Sequence, residues 1–479
     1  MHSDELKELN GGYSKLSVKE KRKHLGRYLW EDFVGNSTLH GLHYVFQKRP
    51  GLQRFIWLIL HGFMFSLFIW QTSTIAQKYL EFDVTSSIEL VTEEEVKFPV
   101  ITFCNFNKYR KSFIKDTDFF KVIEKKYPLY ENENNSVDWT KYPKINDLNM
   151  TAFIYNVSHQ MDYDNTTKKG MLYYCTWKGE ICDKTYFKPT LTDMGLCHTF
   201  TPDKSNNSKV TAPGKHSGLH LRISVEQSEY IGFLEFSAGL KIRIHDPDEL
   251  PLVSGLGFAV MPGSHVYASI TRQRTISLKS PYKTMCEDKK LPGVKKYTIA
   301  ACYEVCKQNY IAKSCKCQTF YMRDIKYKPC NVKQYLNCVY PLEEKYSSSS
   351  NSSKCECPES CDSMKYNVYL SYGSFPSNAS ATLYAATENT TSQNFREPNE
   401  INVKQEYKSI DRTNMVAIDV FYEDLIYKVL RQVPAYTLQS LLGEIGGLMG
   451  LFLGASILTM MEFVDVAVML ILTRLGIHK

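Results

Sequence analysis

The sequence predicts an α+β membrane protein in which two transmembrane helices flank a large, disulfide-rich extracellular domain. Three observations carry that reading. Two long apolar runs lie near the ends of the 479-residue chain, all 14 cysteines fall between them, at 104–361, and eight Asn-x-Ser/Thr acceptors share the same central stretch. An even cysteine count confined to one region marks disulfides formed in an oxidising compartment, and clustered glycan acceptors point to the same secretory route. The mildly negative mean hydropathy excludes a many-span transporter, so most of the mass sits in water. Apart from Lys19, Lys21, Arg22, Lys23 and Arg27 the basic residues behind the net charge of +7 are scattered, which predicts no nucleic-acid partner.

Residues 1–54 read as a cytoplasmic N-terminus. Ten Lys/Arg precede the first apolar run, with Lys48, Arg49 and Arg54 at its edge, and positive residues stay on the inner side of a membrane. Residues 55–77 contain no Asp, Glu, Lys or Arg in 23 positions, enough for a helix to cross a hydrocarbon core of about 30 Å. This span starts some fifty polar residues in and therefore reads as an anchor, not a removable signal. Residues 78–440 are then extracellular and carry the acceptors Asn134, Asn149, Asn156, Asn165, Asn206, Asn351, Asn378 and Asn389. Residues 441–472 form the second span and 473–479 a short cytoplasmic tail, which places a multi-pass protein in the plasma membrane with both termini inside.

The second run holds 32 residues, about 48 Å as one straight helix, so it must protrude, tilt or break. Gly446, Gly450 and Gly454 recur every four residues and form a ridge without side chains, along which helices can approach closely. Such a ridge alone is most often a packing seam. Glu444, Glu462 and Asp465 argue for more, because carboxylates at membrane depth are costly unless they face water or a partner, and rings of them attract cations. Glu444 and Asp465 also fit the two membrane interfaces; Glu462 is harder to account for in that way.

At this point the run LLGEIGGLMGLFLGASILTMMEF at 441–463 closely resembles the second membrane segment of the degenerin, epithelial sodium channel and acid-sensing channel family. The resemblance extends to His40-Gly41 within STLHGLHYVF, to FPVITFCNFN at 98–107 and to the cysteine series, and so covers nearly the whole chain. It implies a homo- or heterotrimer of related subunits in the lipid bilayer, with a β-sheet palm and a helical thumb in each ectodomain. Gly454-Ala455-Ser456 is similar to the family's selectivity tripeptide, where a helix break would turn backbone carbonyls towards a cation. His40 and Gly41 would shape the lower pore, Gly443 would be the position where bulk holds the gate open, and Gly450 the position associated with block by amiloride. The expected permeant ion is Na+, with Ca2+ as a second candidate because Glu444 stands at the outer mouth. No cofactor is expected.

Cysteine spacing alone leaves connectivity open. Cys302 and Cys306 share one face of the helix expected over 297–310, whereas Cys355 and Cys357 have the spacing of an extended strand. The resemblance implies the pairs Cys286–Cys361, Cys302–Cys357, Cys306–Cys355, Cys315–Cys338, Cys317–Cys330, Cys104–Cys197 and Cys175–Cys182. The competing reading of CxC and CxxxC as a metal site is weak in a secreted chain with an even count, and no metal is assigned. The alternating stretches 219–227, 240–246 and 415–422 read as half-buried strands, the last leading towards the second span, and the resemblance places all three in the palm sheet. It also implies a contact of Phe82, after the first span, with Pro281-Tyr282.

The resemblance names extracellular acids as the proton sensors of acid-sensing members, and this chain departs from them. Ser237 stands in FSAG where the family has an acid, a serine-rich run at 347–353 replaces the acidic thumb segment, and Asp83 replaces a histidine after the first span. Glu343 and Glu344 read as an exposed, solvated pair. Elimination leaves the neuropeptide-gated branch, opened by RFamide-like extracellular peptides, ahead of proton gating or constitutive opening. A non-conducting receptor explains the disulfides and acceptors but not Glu462 or the glycine ridge. No GxSxG, HExxH or P-loop suggests an enzyme.

Overall fold

In a computed structural model, the described residues are 18–37, 39, 41–46, 50–127, 137–162, 170–202, 208–322, 324, 326–348, 355–381 and 411–475. His40, Lys48, Arg49, the serines at 349, 350, 352 and 353, and the acceptors Asn134, Asn165, Asn206, Asn351 and Asn389 lie outside them. Asn149, Asn156 and Asn378 are exposed. The principal helices are α1 (Val18–Asn36), α2 (Leu42–Phe46), α3 (Gly51–Leu80), α4 (Asp118–Lys126), α5 (Met150–Val157), α6 (Ile299–Cys315), α7 (Tyr340–Ser348), α8 (Leu438–Leu453) and α9 (Ile457–Leu475). The chain divides into two compact units. One is Met1–Thr85 with Pro281–Lys283 and Val433–Lys479, and the other is Ser86–Ser280 with Thr284–Gln432.

In the first unit α3 runs for 30 residues, so the helix passes the expected 55–77 by about one turn at each end and takes in Arg54 and Lys78. The second apolar run is not one helix: α8 and α9 meet at 75° across a break of three residues. By length and composition α3, and α8 with α9 taken as one broken element, are the apolar segments able to cross a membrane among the described residues.

The strands are β1 (Val84–Thr92), β2 (Val96–Lys97), β3 (Val100–Asn105), β4 (Leu172–Trp177), β5 (Glu180–Ile181), β6 (Phe187–Thr192), β7 (Gly195–Phe200) and β8 (Lys209–Val210). They continue with β9 (Leu219–Ser224), β10 (Leu240–His245), β11 (Phe258–Val260), β12 (Ser264–Ile276), β13 (Asp362–Ser374), β14 (Met415–Tyr422) and β15 (Ile426–Pro434). An eight-stranded sheet has the order β1-β15-β12-β14-β9-β4-β5 with β13 also paired to β12, and a five-stranded sheet has the order β11-β10-β3-β7-β6. The alternation read at 219–227 and 415–422 forms neighbours β9 and β14 of the larger sheet. That at 240–246 does not join them: β10 sits in the smaller sheet between β3 and β11. Alternation reports that one face is buried but not which sheet buries it. Nor does β14 lead to the second apolar run; it turns at Glu423 and Asp424 into β15, which does.

Between the two sheets Ile101, Phe103, Ile242, Val266, Ile270, Ile418 and Val420 are fully buried in one core. Burying each such side chain contributes about 1.5–3 kcal/mol. A second core joins α4, α5 and α6, where Ile114, Ile154, Ile311, Val332 and Val339 are likewise buried. α6 starts at the cap Thr298, whose Oγ1 accepts from Ala301 N at 3.0 Å, and runs to Cys315 instead of ending near 310. Seven disulfides join Cys104 to Cys197, Cys175 to Cys182, Cys286 to Cys361, Cys302 to Cys357, Cys306 to Cys355, Cys315 to Cys338 and Cys317 to Cys330. Cys302 and Cys306 do share a face of α6, but Cys355 and Cys357 belong to no strand, so their partner segment is irregular.

Candidate functional site

The break between α8 and α9 is encoded by its own residues. Gly454 caps α8 in the left-handed region at φ 61°, which L side chains adopt at a cost of roughly 1–2 kcal/mol. Its N–H donates to Gly450 O at 3.0 Å and that of Ala455 to Met449 O at 3.3 Å, the six-residue closure of a helix stop. Ser456 then restarts the chain. Its N–H donates to Thr459 Oγ1 at 3.0 Å while Thr459 N donates to Ser456 Oγ at 3.3 Å, a reciprocal cap. Ala455 and Thr459 are buried.

Gly443, Gly446 and Gly447 have nothing within 4 Å of where a Cβ would stand, so the glycine side of α8 is unfilled in the single chain. A Cβ on Gly450 would stand 3.9 Å from Ala455 O. Glu444 is exposed on α8 before the break; Glu462, half-buried, and Asp465, exposed, lie three residues apart on α9 after it. The break therefore divides the three acids between two helices.

Gly41 lies beside α3. At φ 82° and with a Cβ position only 2.4 Å from His61 Cε1 and 3.2 Å from Trp57, it has no room for a side chain. α2 continues that contact: Tyr44 stacks on Trp57 at 4.7 Å, and Arg54 Nη2 donates to Phe46 O at 3.0 Å. Residues 41–46 thus run alongside the opening turns of α3. α1 packs on α9, with Phe33 edge-on to Phe463 at 4.8 Å.

After α3, Phe82 meets Tyr282 edge to face at 5.7 Å. Asp83 is paired with Lys283, whose hydrogen bond holds the carboxyl below the usual carboxylate range.

In the second unit the structure corrects the reading of Glu343. It is not a solvated surface group, for burial pushes its carboxyl up to about 7, Lys307 and Lys108 opposing the rise and Glu304 and Asp193 adding to it. Glu304 pairs with Lys307 at 2.7 Å, and Lys108 Nζ donates to Asp193 O at 3.2 Å. Burial also raises Asp193. Sequence reasoning missed Asp193, Glu304, Lys307 and Lys108; of these only Glu304 and Lys307, three apart on one helix, carried a local signal. Ser237 is exposed, its N–H donating to Glu235 Oε1 at 3.0 Å.

The model of the amiloride-sensitive sodium channel family matches residues 33–466, and the chain belongs to that family. Its members are ion channels and not enzymes. The chain is similar to acid-sensing ion channel 1 of Gallus gallus, at 29% identity over 92% of this chain and 84% of that one. The bile acid-sensitive ion channel of Rattus norvegicus is 29% identical over 91% of this chain and 86% of its own length. Acid-sensing ion channel 4 of the same animal is 28% identical over 90% and 78%.

Proposed function

We propose that this chain is a pore-forming subunit of a trimeric, amiloride-sensitive, sodium-permeable cation channel of the plasma membrane, opened by extracellular RFamide-like peptides. The observation that carries the channel reading is the capped break at Gly454–Ser456, set in an apolar element whose glycine side is unfilled in the single chain. Three copies around an axis would bring those glycine sides together and direct the break at a common path, where backbone carbonyls replace part of a cation's hydration shell. Gly41, close against α3, is the piece that would narrow the inner end. Both termini are then cytoplasmic.

Peptide gating rests on the departures at Ser237 and Asp83. A second reading, opening by protons, is favoured by one observation: Glu343, with a carboxyl near 7 beside Glu304 and Asp193, titrates in the range an acid sensor needs. The relative named for acid sensing fits this second reading, and the one named for bile acid sensitivity points to neither a proton nor a peptide. Whole-cell current should be recorded from cells expressing the chain alone and with sibling subunits, under buffer at about pH 5 and RFamide peptides in turn. Peptide-evoked, amiloride-sensitive sodium current is the expected result. Current evoked only by acid would replace the peptide gate with a proton gate, and surface protein without current under either stimulus would contradict the channel.

A further inference from the structure

Three neighbouring strands of the eight-stranded sheet aim two imidazoles at one carboxylate. His220 on β9 stands directly opposite Asp419 on β14 in the antiparallel register. β12 runs parallel to β14 on its other side, with Tyr267 level with Asp419 and His265 two residues before it, so all these side chains share one face. His220 Nδ1 lies 2.5 Å from Asp419 Oδ1, and His265 Nε2 lies 2.9 Å from Asp419 Oδ2. One ligand atom from each residue lies within 4.8 Å of the others.

We propose that His220, His265 and Asp419 form a binding site for a divalent transition-metal ion of borderline softness, Zn2+ or its chemical neighbours. Two neutral imidazoles and one carboxylate are the donor set such ions take, whereas Ca2+ and Mg2+ require oxygen cages. Bonds of about 2.0–2.2 Å at tetrahedral angles put ligand atoms roughly 3.3 Å apart, so His220 Nδ1 and Asp419 Oδ1, at 2.5 Å, must part by about 0.8 Å and His265 Nε2 and Asp419 Oδ2, at 2.9 Å, by about 0.4 Å. The carboxylate is 5% exposed and each histidine 21%, a site anchored in the sheet and open to solvent at its rim for a fourth ligand, water. The outer support is already in place: Tyr267 Oη lies 3.2 Å from His265 Nδ1 and can accept a hydrogen bond from its N–H, the tautomer that leaves Nε2 free to bond metal. Arg222, on the same strand as His220, stacks over Tyr174 and Phe375 at 5.0 and 5.8 Å. Its charge weakens any purely electrostatic cation site, so affinity here rests on metal–nitrogen bonds.

In the sequence only the cysteines have metal-like spacing; these three residues are separated by 45 and 154 positions and no local spacing joins them. A metal held here would clamp β9, β14 and β12, and β12 also pairs with β15, the strand that leads to α8.

The test is Co2+ titration of the full-length channel in detergent, followed by absorption and competed with Zn2+. The expected result is one Co2+ per chain with the intense visible bands of four-coordinate cobalt, displaced by Zn2+. His220→Gln and His265→Gln should each lower affinity more than about tenfold, and Tyr267→Phe, which keeps all three ligands, by about tenfold. The weak spectrum of six-coordinate cobalt in the unaltered protein would overturn the site without recourse to variants, as would full affinity in folded His220→Gln or His265→Gln.

Discussion

Phe82 and Tyr282 meet edge to face with their ring centroids 5.7 Å apart, and the residue after each, Asp83 and Lys283, forms an ion pair. Phe82 has φ 48°, a left-handed turn that L residues adopt only when neighbours hold them there. Aromatic pairs of this geometry are worth about 0.5–1.5 kcal/mol. If the pair is made in one gating state only, Phe82→Ala should shift half-maximal activation by roughly 2- to 12-fold. A double-mutant cycle with Tyr282→Ala measures the coupling, and strictly additive shifts would remove the pair from the gate.

Gly41 leaves no room for a side chain. An alanine there would need a left-handed backbone, at roughly 1–2 kcal/mol, and would press its methyl into the His61 ring. Gly41→Ala should reduce current more than about tenfold at equal surface density, the loss expected from about 1.4 kcal/mol or more. Surface biotinylation with current recording separates this from a trafficking defect, and normal current per surface channel would contradict the packing account.

Gly443 presents the opposite case. A Cβ there has nothing within 4 Å in its own chain, so the first atom of a larger side chain enters open space. Gly443→Phe should reach the surface at the level of the unaltered chain and carry standing, amiloride-blocked current without a stimulus. A closed Gly443→Phe channel that still opens normally would show that this glycine lies away from the gate.

Glu343 supplies the pH dependence. Its carboxyl, pushed up to about 7, keeps a proton in the folded chain that the unfolded chain releases near its ordinary value of about 4.3. Between those values the folded state binds more protons, so stability is greatest at the acid end and falls as pH rises towards 7. The melting temperature of the solubilised protein should therefore drop between about pH 5 and about pH 8, and Glu343→Gln should flatten that slope. An unchanged slope would assign the proton elsewhere.

The parts of the fold legible in the sequence were those written in local runs. The apolar run at 55–77 located α3, whereas the surplus length of 441–472 left protrusion, tilt and break open and only the family resemblance put a break at Gly454–Ser456, where the structure has it. What was not legible depended on pairings across long separations. The alternation at 240–246 gave no hint that β10 pairs β3 instead of β9, because the period of a strand is the same in any sheet. β15 was overlooked: its burial along 426–434 alternates only in part, so the strand that reaches α8 lacked the pattern that marked β14. Glu343 looked like a surface residue beside Glu344 because what surrounds it, Asp193 and Lys108 among them, comes from far earlier in the chain. His220, His265 and Asp419 were passed over for the same reason.

The central claim, that cations pass the break at Gly454–Ser456, is tested most directly by the reversal potential of stimulated current in defined Na+ and K+ solutions. The unaltered channel should reverse near the sodium equilibrium potential. Gly454→Ala strains a residue at φ 61°, and Ser456→Ala removes half of the cap that restarts α9, so each should move the reversal towards that of an unselective pore. Currents of full size whose reversal is untouched by both substitutions would place the selective step elsewhere and contradict the account.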